Sequence, residues 1–141
     1  MDSNSIADEL SIAASLGEFQ QVKDLLDTGA SPAVPDYRGW FAIHWASQEG
    51  HLEIASLLIH SGADPNSLTV IEEITPLIQA VGGGHTDVVK LLLQHGADPE
   101  VQISFLGGVS PVKLAKKYKF REISAMLGAS IENRRAKDSE L

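Results

Sequence analysis

Between Thr86 and Gly96 the chain carries Val88, Val89, Leu91, Leu92 and Leu93, with Asp87 and Lys90 as the early polar interruptions. A helix over this run is apolar on nearly every side, so the pattern predicts burial between neighbours rather than a surface position. Leu52 to His60 reads as the corresponding helix one unit earlier. A shorter helix precedes the later run. Thr75 suits its N-cap, Pro76 its first turn, and it extends to about Val81. Between Asn66 and Thr75, the segment Thr69-Val70-Ile71 is placed for a short hairpin arm.

The apolar runs are punctuated by recurring phrases. DTGASP (27–32), HSGADPN (60–66) and QHGADPE (94–100) are versions of one phrase, with Gly29, Gly62 and Gly96 spaced 33 and 34 residues apart. LGEF (16–19), EGHLE (49–53) and GGHTD (83–87) form a second, and Gly17, Gly50 and Gly84 keep the same 33 and 34 spacing. Two independent phrases on one period define a repeat. The triplet Gly82-Gly83-Gly84 therefore contains the repeat's own glycine, Gly84, at a helix junction that favours a left-handed backbone. A phosphate-binding loop would need a preceding strand and a Gly-Lys-Ser/Thr step into a helix; here a helix precedes and Asp87 follows. Gly82 and Gly83 are not demanded by the repeat, and on a helix each costs about 1 kcal/mol relative to alanine. Two readings of them stand open: room left for a partner's backbone, or tolerated drift.

The phrases Phe41-Ala42-Ile43-His44-Trp45-Ala46 and Thr75-Pro76-Leu77-Ile78-Gln79-Ala80, with Gly50-His51-Leu52-Glu53-Ile54 and the two Gly-Ala-Asp-Pro turns, resemble the ankyrin repeat. Ser110-Pro111-Val112-Lys113-Leu114-Ala115 is a weaker last unit, and Asp8 to Ala14 an incomplete first one. The resemblance covers about residues 6–128. It implies an all-α solenoid of four stacked helix-turn-helix units with short hairpin arms, at about 6–34, 35–67, 68–102 and 103–129. These form a single domain, 1–130, followed by a polar tail, 131–141, expected to fray. There are departures from the family pattern. Phe41-Ala42 replaces Thr-Pro, removing a cap, and Ile78 stands where His44 stands one unit earlier. The connection before Thr75 is one residue longer than that before Phe41, and the one before Ser110 two longer. Lys119 replaces the inter-helix glycine, so a strained or a differently turned junction is expected there. Polar outer faces on the terminal units are expected from Asp8, Glu9 and Ser11 at one end and Lys113, Lys116 and Lys117 at the other.

Composition narrows the function. In 141 residues, 43% are hydrophobic and 21% charged, an ordinary globular balance. The absence of cysteine excludes disulfides, thiolate metal sites and a cysteine nucleophile, and fits a reducing compartment. The acidic start MDSNSIADEL lacks the apolar run of a secretory signal, and no window approaches a membrane span, so an intracellular setting, cytoplasmic or nuclear, is expected. The net charge of −8 is uneven: residues 1–112 carry 3 basic and 15 acidic residues, and residues 113–141 carry 8 and 4. The acidic body repels nucleic acid and anionic membranes and favours a basic partner.

His44, His51, His60, His85 and His95 recur at repeat positions rather than clustering, and none forms an HExxH pair. The resemblance implies that the TPLH and GH histidines hold loops by hydrogen bonds. Asp64-Pro65-Asn66 is read as a turn, since further calcium ligands are missing. The family likeness at Leu58, Asp64 and Asn66 also resembles the spacing of asparagine hydroxylation, with Pro65 departing from it. No Ser-His-Asp set is evident, so no enzyme activity, cofactor or metal is expected. Lys113, Lys116 and Lys117 share one helix face with Lys119 and Arg121 nearby, and read as a solubilising cap.

What remains is a binding surface. Tyr37 and Trp40 fall on a hairpin, at positions the resemblance leaves free to face outward, and Trp45 lies on a first helix, where it serves either the concave side or the core. Exposed aromatics and arginine dominate binding energetics. Tyr37, Arg38, Trp40, Trp45, Gln48 and Glu49 form the expected centre of a partner-binding groove. Ile71, Glu72, Glu73, Ile74, Gln79, Gly82 and Gly83 continue it, and Leu106, Val109 and Tyr118 extend it. The expected function is that of a monomeric module binding a partner protein with basic residues, an inhibitor or adaptor. The alternative is the targeting arm of a larger enzyme.

Overall fold

A computed structural model describes residues 3–104 and 107–140. Among the described residues eight helices run in pairs: α1 (Ser3–Leu16) with α2 (Phe19–Asp27), α3 (Ala42–Glu49) with α4 (Leu52–His60), α5 (Pro76–Gly82) with α6 (Thr86–Gln94), and α7 (Pro111–Lys117) with α8 (Arg121–Ser139). First helices α1, α3, α5 and α7 stack in one layer, and second helices α2, α4, α6 and α8 in the other. The all-α solenoid with its paired helices is the expected one, and α4 has the bounds read from the sequence. Among the described residues the only extended pairing is an isolated bridge between Ile103 and Val109. No helix of the described residues is long and apolar enough to cross a membrane.

Caps and apolar faces start these helices. Thr75 Oγ1 accepts from the Ile78 N–H at 3.3 Å, and Ser110 Oγ from the Lys113 N–H at 3.2 Å, each with proline at the next position. At α3 the hydroxyl is missing, as Phe41 implied. His44 Nδ1 instead accepts from the Phe41 N–H at 3.2 Å, and the half-buried Phe41 ring packs 5.8 Å from the His44 ring. Ala42→Pro is expected to raise stability by about 0.4–1 kcal/mol, because extended Phe41 tolerates a following proline. A lowered denaturation midpoint would mean the ring overpacks the seam.

Between the layers, Leu10, Ile43, Leu58, Leu77, Val88, Leu92, Ile123 and Leu127 are closed off from solvent. Alanines 14, 46, 55, 80 and 115 let the helices approach closely. Helix α6 is less enclosed than its composition predicts. Val88, Val89 and Leu92 are buried, but Leu91 and Leu93 are half-buried and Lys90 is exposed, because the outer layer keeps one side in water.

The helix junctions are left-handed at Gly17, Gly50 and Gly84 and also at Lys119, where φ is +60°, so of the two expectations there it is the strained one that the structure has. Gly50 is required twice over: φ is +77°, and a Cβ there would come within 2.4 Å of the His85 ring. That ring reaches back to donate from Nε2 to the Gln48 carbonyl at 2.8 Å, and His51 donates to the Ser15 carbonyl at 3.0 Å. In the last unit Phe120 lies over Gly84 in the same position, filling space without a hydrogen bond. Gly83 also proves necessary, contrary to the sequence reading. Its Cβ would fall 2.5 Å from His85 and 3.0 Å from the Gln48 carbonyl oxygen. Only Gly82 is free, with ordinary contact to Leu114 at 3.6 Å.

The expected hairpin arm is a tight turn. Thr69 and Ile74 close it through Thr69 N–H to Ile74 O at 3.0 Å and Ile74 N–H to Thr69 Oγ1 at 3.0 Å, with Glu73 left-handed. Val70 N–H donates to Gly39 O at 2.8 Å and ties this turn to the preceding one. Asn66 makes a second link: Nδ2 donates to Gly96 O at 2.9 Å and Oδ1 accepts from Asp98 N–H at 2.8 Å. Asp64-Pro65-Asn66 is a turn, closed by Asn66 N–H on Asp64 Oδ1. The polar tail does not fray as expected. Residues 131–139 continue α8, with Arg134 paired to Asp98 and Arg135 to Glu100 at 3.0 Å. Both pairs are solvent-exposed, so each contributes about 0–1 kcal/mol.

Candidate functional site

The sequence places an exposed aromatic centre on the turn before α3. Its chemistry is set by Asp36. Asp36 Oδ1 accepts from the Arg38 N–H at 2.9 Å and the Trp40 N–H at 3.0 Å, while Oδ2 accepts from Trp45 Nε1 at 2.7 Å. A buried carboxylate that takes three donors needs no cation beside it. The carboxylate folds the turn back on itself and draws Trp40 inward. Trp40 is 9% exposed, which corrects its expected outward position. Its ring packs 4.5 Å from that of Trp45, and the Arg38 guanidinium covers both, 5.6 and 5.1 Å from the ring centroids.

Tyr37 alone of this group projects fully, at 82% exposure, with its N–H donating to Asp8 Oδ1 at 2.8 Å. Beside it, α1 presents Ile12 and Leu16, 56% and 64% exposed, which the sequence reading missed. Their signal was available. With Ala7, Leu10, Ala13 and Ala14 on the core stripe, Ile12 and Leu16 are apolar residues left over at i, i+4. A groove of about 190 Å³ lies between α1 and the turn, walled by Ile12, Leu16, Tyr37 and Trp45. Ser11, expected on a polar outer face, is instead buried in its wall.

Farther along the first-helix layer, Gln48 is half-buried and Glu49 exposed, with Gln48 Nε2 donating to Glu49 at 3.2 Å. Gln79 is half-buried and Gly82 exposed. On the next turn Ile71 and Glu73 are exposed and Glu72 is half-buried. Ile74 is a scaffold residue, its carbonyl accepting from His44 Nε2 at 2.9 Å. Val109 is half-buried and paired with Ile103. Tyr118 is exposed, with its ring 5.7 Å from Phe120 and Lys117 over its face. Leu106 lies outside the described residues. Lys113, Lys116 and Lys117 are exposed on α7.

His44 is the buried pivot beneath this surface. With Nδ1 accepting from Phe41, its Nε2–H serves both the Ser67 carbonyl at 3.0 Å and that of Ile74. Burial holds its pKa below the ordinary imidazole value, against the smaller raising effect of these hydrogen bonds and of Asp36. The unfolded chain takes up the proton first, so stability falls as pH drops below about 6.5. Urea melts between neutral and mildly acidic pH should show a shallower fall in His44→Gln, and parallel profiles would contradict this. His60 and His95 meet edge to face, 5.6 Å apart, at the ends of α4 and α6. No group of three metal-ligating side chains occurs among the described residues.

Comparison with known proteins agrees with this architecture. The profile of the family described as Ankyrin repeats (3 copies) matches residues 10–103. The chain is 35% identical over 63 residues to Ankyrin repeat domain-containing protein 40 of Mus musculus, covering 44% of this chain and 17% of that protein. It is 38% identical over 57 residues to Ankyrin repeat domain-containing protein 39 of Homo sapiens, covering 40% and 31%. It is also 38% identical over 88 residues to the DNA-binding protein RFXANK of Mus musculus, covering 53% and 33%. The matched region thus spans a third or less of each of these relatives.

Proposed function

The chain belongs to the ankyrin-repeat family, a non-catalytic interaction fold, and from that premise we propose that it binds a partner protein along its first-helix face. The observation that carries this is the cluster of projecting Tyr37, Ile12 and Leu16 around half-buried Trp45, on a chain of net charge −8. Exposed apolar side chains grouped beside an aromatic favour a docking site over a solvated face. Gln48, Glu49, Gln79 and Gly82 extend the surface, and Glu49, Glu72 and Glu73 favour a partner with basic residues. An intracellular monomer acting as inhibitor or adaptor is part of the same proposal, as is the alternative of a recruiting arm within a larger assembly.

Pull-downs with the intact chain and with a Tyr37→Ala/Leu16→Ala variant test the reading. The variant is expected to weaken the partner by about 2 kcal/mol or more, while exposed sites leave the melting midpoint nearly unchanged. Glu49→Gln with Glu73→Gln should slow association, and the difference should shrink as salt rises. Affinity that survives these changes but is lost on reversing Lys113, Lys116 and Lys117 would move the site to α7. It would also favour an anionic partner, nucleic acid included, in keeping with the name of the DNA-binding relative.

A further inference from the structure

Helix α8 has 19 residues, against 9 in each of α2, α4 and α6. Its buried residues, Ile123 and Leu127, lie in its first half, so the core needs no more than that half. The second half is largely polar and is held to the neighbouring turn by two exposed ion pairs. What it builds is the far wall of a groove of about 670 Å³ against α6. Met126, Ser130, Asn133 and Lys137 line this groove at i, i+4, i+7 and i+11, one continuous face of α8. Lys90, Leu93 and Gln94 line it from α6. Leu93 and Met126 are half-buried, and their free surface forms an apolar floor; Lys90, Gln94, Asn133 and Lys137 are exposed along the rim. No carboxylate lines the groove. Arg134 is spent on Asp98, but Lys90 and Lys137 have no ion pair among the described residues. Lys90 is also one of the 3 cations that residues 1–112 carry among 15 acids. The adjoining groove, between α4 and α6, is lined by Glu53 and Asp87 instead.

We propose that the α6–α8 groove receives an acidic amphipathic helix of a second partner, its apolar ridge on Leu93 and Met126 and its carboxylates toward Lys90 and Lys137. The assignment goes beyond the first-helix surface and does not rest on it. Two unpaired cations with no acid between them attract a negative segment, whereas Glu53 and Asp87 repel it from the adjoining groove. The walls select a helix. Two helix faces with side chains at i, i+3, i+4 and i+7 leave a channel into which a third helix lays its own apolar ridge. An extended peptide finds no sheet edge here, since the isolated Ile103–Val109 bridge is the only extended pairing among the described residues. A nucleic acid fits less well: no aromatic ring lines the groove for a base to stack on, and a phosphate backbone gains nothing from Leu93 and Met126. Met126 adds a flexible thioether that adapts to the ridge laid on it. With a basic partner on the first-helix layer and an acidic one here, the two layers serve different partners, as an adaptor requires.

The intact, isotope-labelled chain is titrated with a capped amphipathic peptide of about 15 residues, leucines at i, i+4, i+7 and i+11 and glutamates on the flanks. A counterpart with glutamine for glutamate and one with proline at the centre are titrated in parallel. The acidic peptide is expected to bind saturably, with a dissociation constant of about 0.1–1 mM. It should shift the amides of Lys90, Gln94, Gly96, Ser130 and Asn133. Both counterparts should bind at least about fivefold more weakly, and the glutamine gap should close as salt rises. Lys90→Glu with Lys137→Glu should weaken the acidic peptide at least about tenfold. Lys113→Glu with Lys116→Glu changes the net charge equally and should leave its affinity within about twofold. All four lysines are exposed, so the melting midpoints of both variants should stay near the parent's. Equal binding of either counterpart, equal loss in the two charge-reversal variants, full affinity in Lys90→Glu/Lys137→Glu, shifts centred on Ser56 and Leu57, or no saturable shift would each overturn the proposal. Movement of the Lys90 and Asn133 signals on raising the protein concentration alone would give the groove to a second copy of this chain and overturn it as well. The Tyr37→Ala/Leu16→Ala variant should bind the peptide as the parent does, so a failure of this groove and a failure of the first-helix surface are read apart.

Discussion

Trp40→Ala is expected to lower the unfolding free energy by about 3–5 kcal/mol, the range for truncating a buried large aromatic. The ring is nearly enclosed, packs on Trp45 and tilts against His44 at 6.2 Å. Its loss leaves a void under Arg38 and beside the imidazole that holds the Ser67 and Ile74 carbonyls. Tyr37→Ala, three residues away and exposed, should change stability by no more than about 0.5 kcal/mol. Denaturant melts of the two variants side by side decide the matter. A Trp40→Ala midpoint matching the parent would place the ring in solvent, as the sequence pattern alone had it.

Leu92→Ala should cost about 2–5 kcal/mol. Leu92 is fully buried on α6, which packs between α4 and α8. In a stack where each unit contacts only its neighbours, a defect in an inner unit also weakens the coupling across it. The transition should therefore broaden as well as shift, with the α7–α8 pair unfolding ahead of the rest. A loss below about 1 kcal/mol with an unchanged slope would contradict the packing described here.

Much of this architecture was legible because the period writes it twice. Gly17, Gly50 and Gly84 mark one junction and Gly29, Gly62 and Gly96 another, and left-handed φ values occur at all six. Lys119 was readable as a strained substitute because it breaks a pattern of three. Trp40 was misplaced because its burial depends on Asp36, whose three accepted hydrogen bonds reverse the turn. An aspartate with backbone donors two and four residues on was the available signal. Gly83 was misjudged because the ring that excludes a Cβ there has its own course set by the Gln48 carbonyl of the preceding unit. The length of α8 was hidden for a similar reason. Its ion pairs reach back to Asp98 and Glu100, although the run Glu132 to Lys137 is rich in helix formers. The groove depends on α1 lying against a turn that begins at Asp36, well beyond the helix end at Leu16, so Ile12, Leu16 and Ser11 gain meaning only once the chain is folded.

The binding surface proposed for this protein is the first-helix face, centred on the α1–Trp45 groove. Amide-resolved NMR of the labelled chain, titrated with the captured partner, tests it most directly. Shifts are expected at Ile12, Leu16, Tyr37, Gln48, Glu49, Gln79 and Gly82 and at the Trp45 indole, with Phe19, Lys90 and Gln94 of the outer layer unmoved. Shifts concentrated on the outer layer or on Lys113, Lys116 and Lys117, with the groove silent, would contradict it.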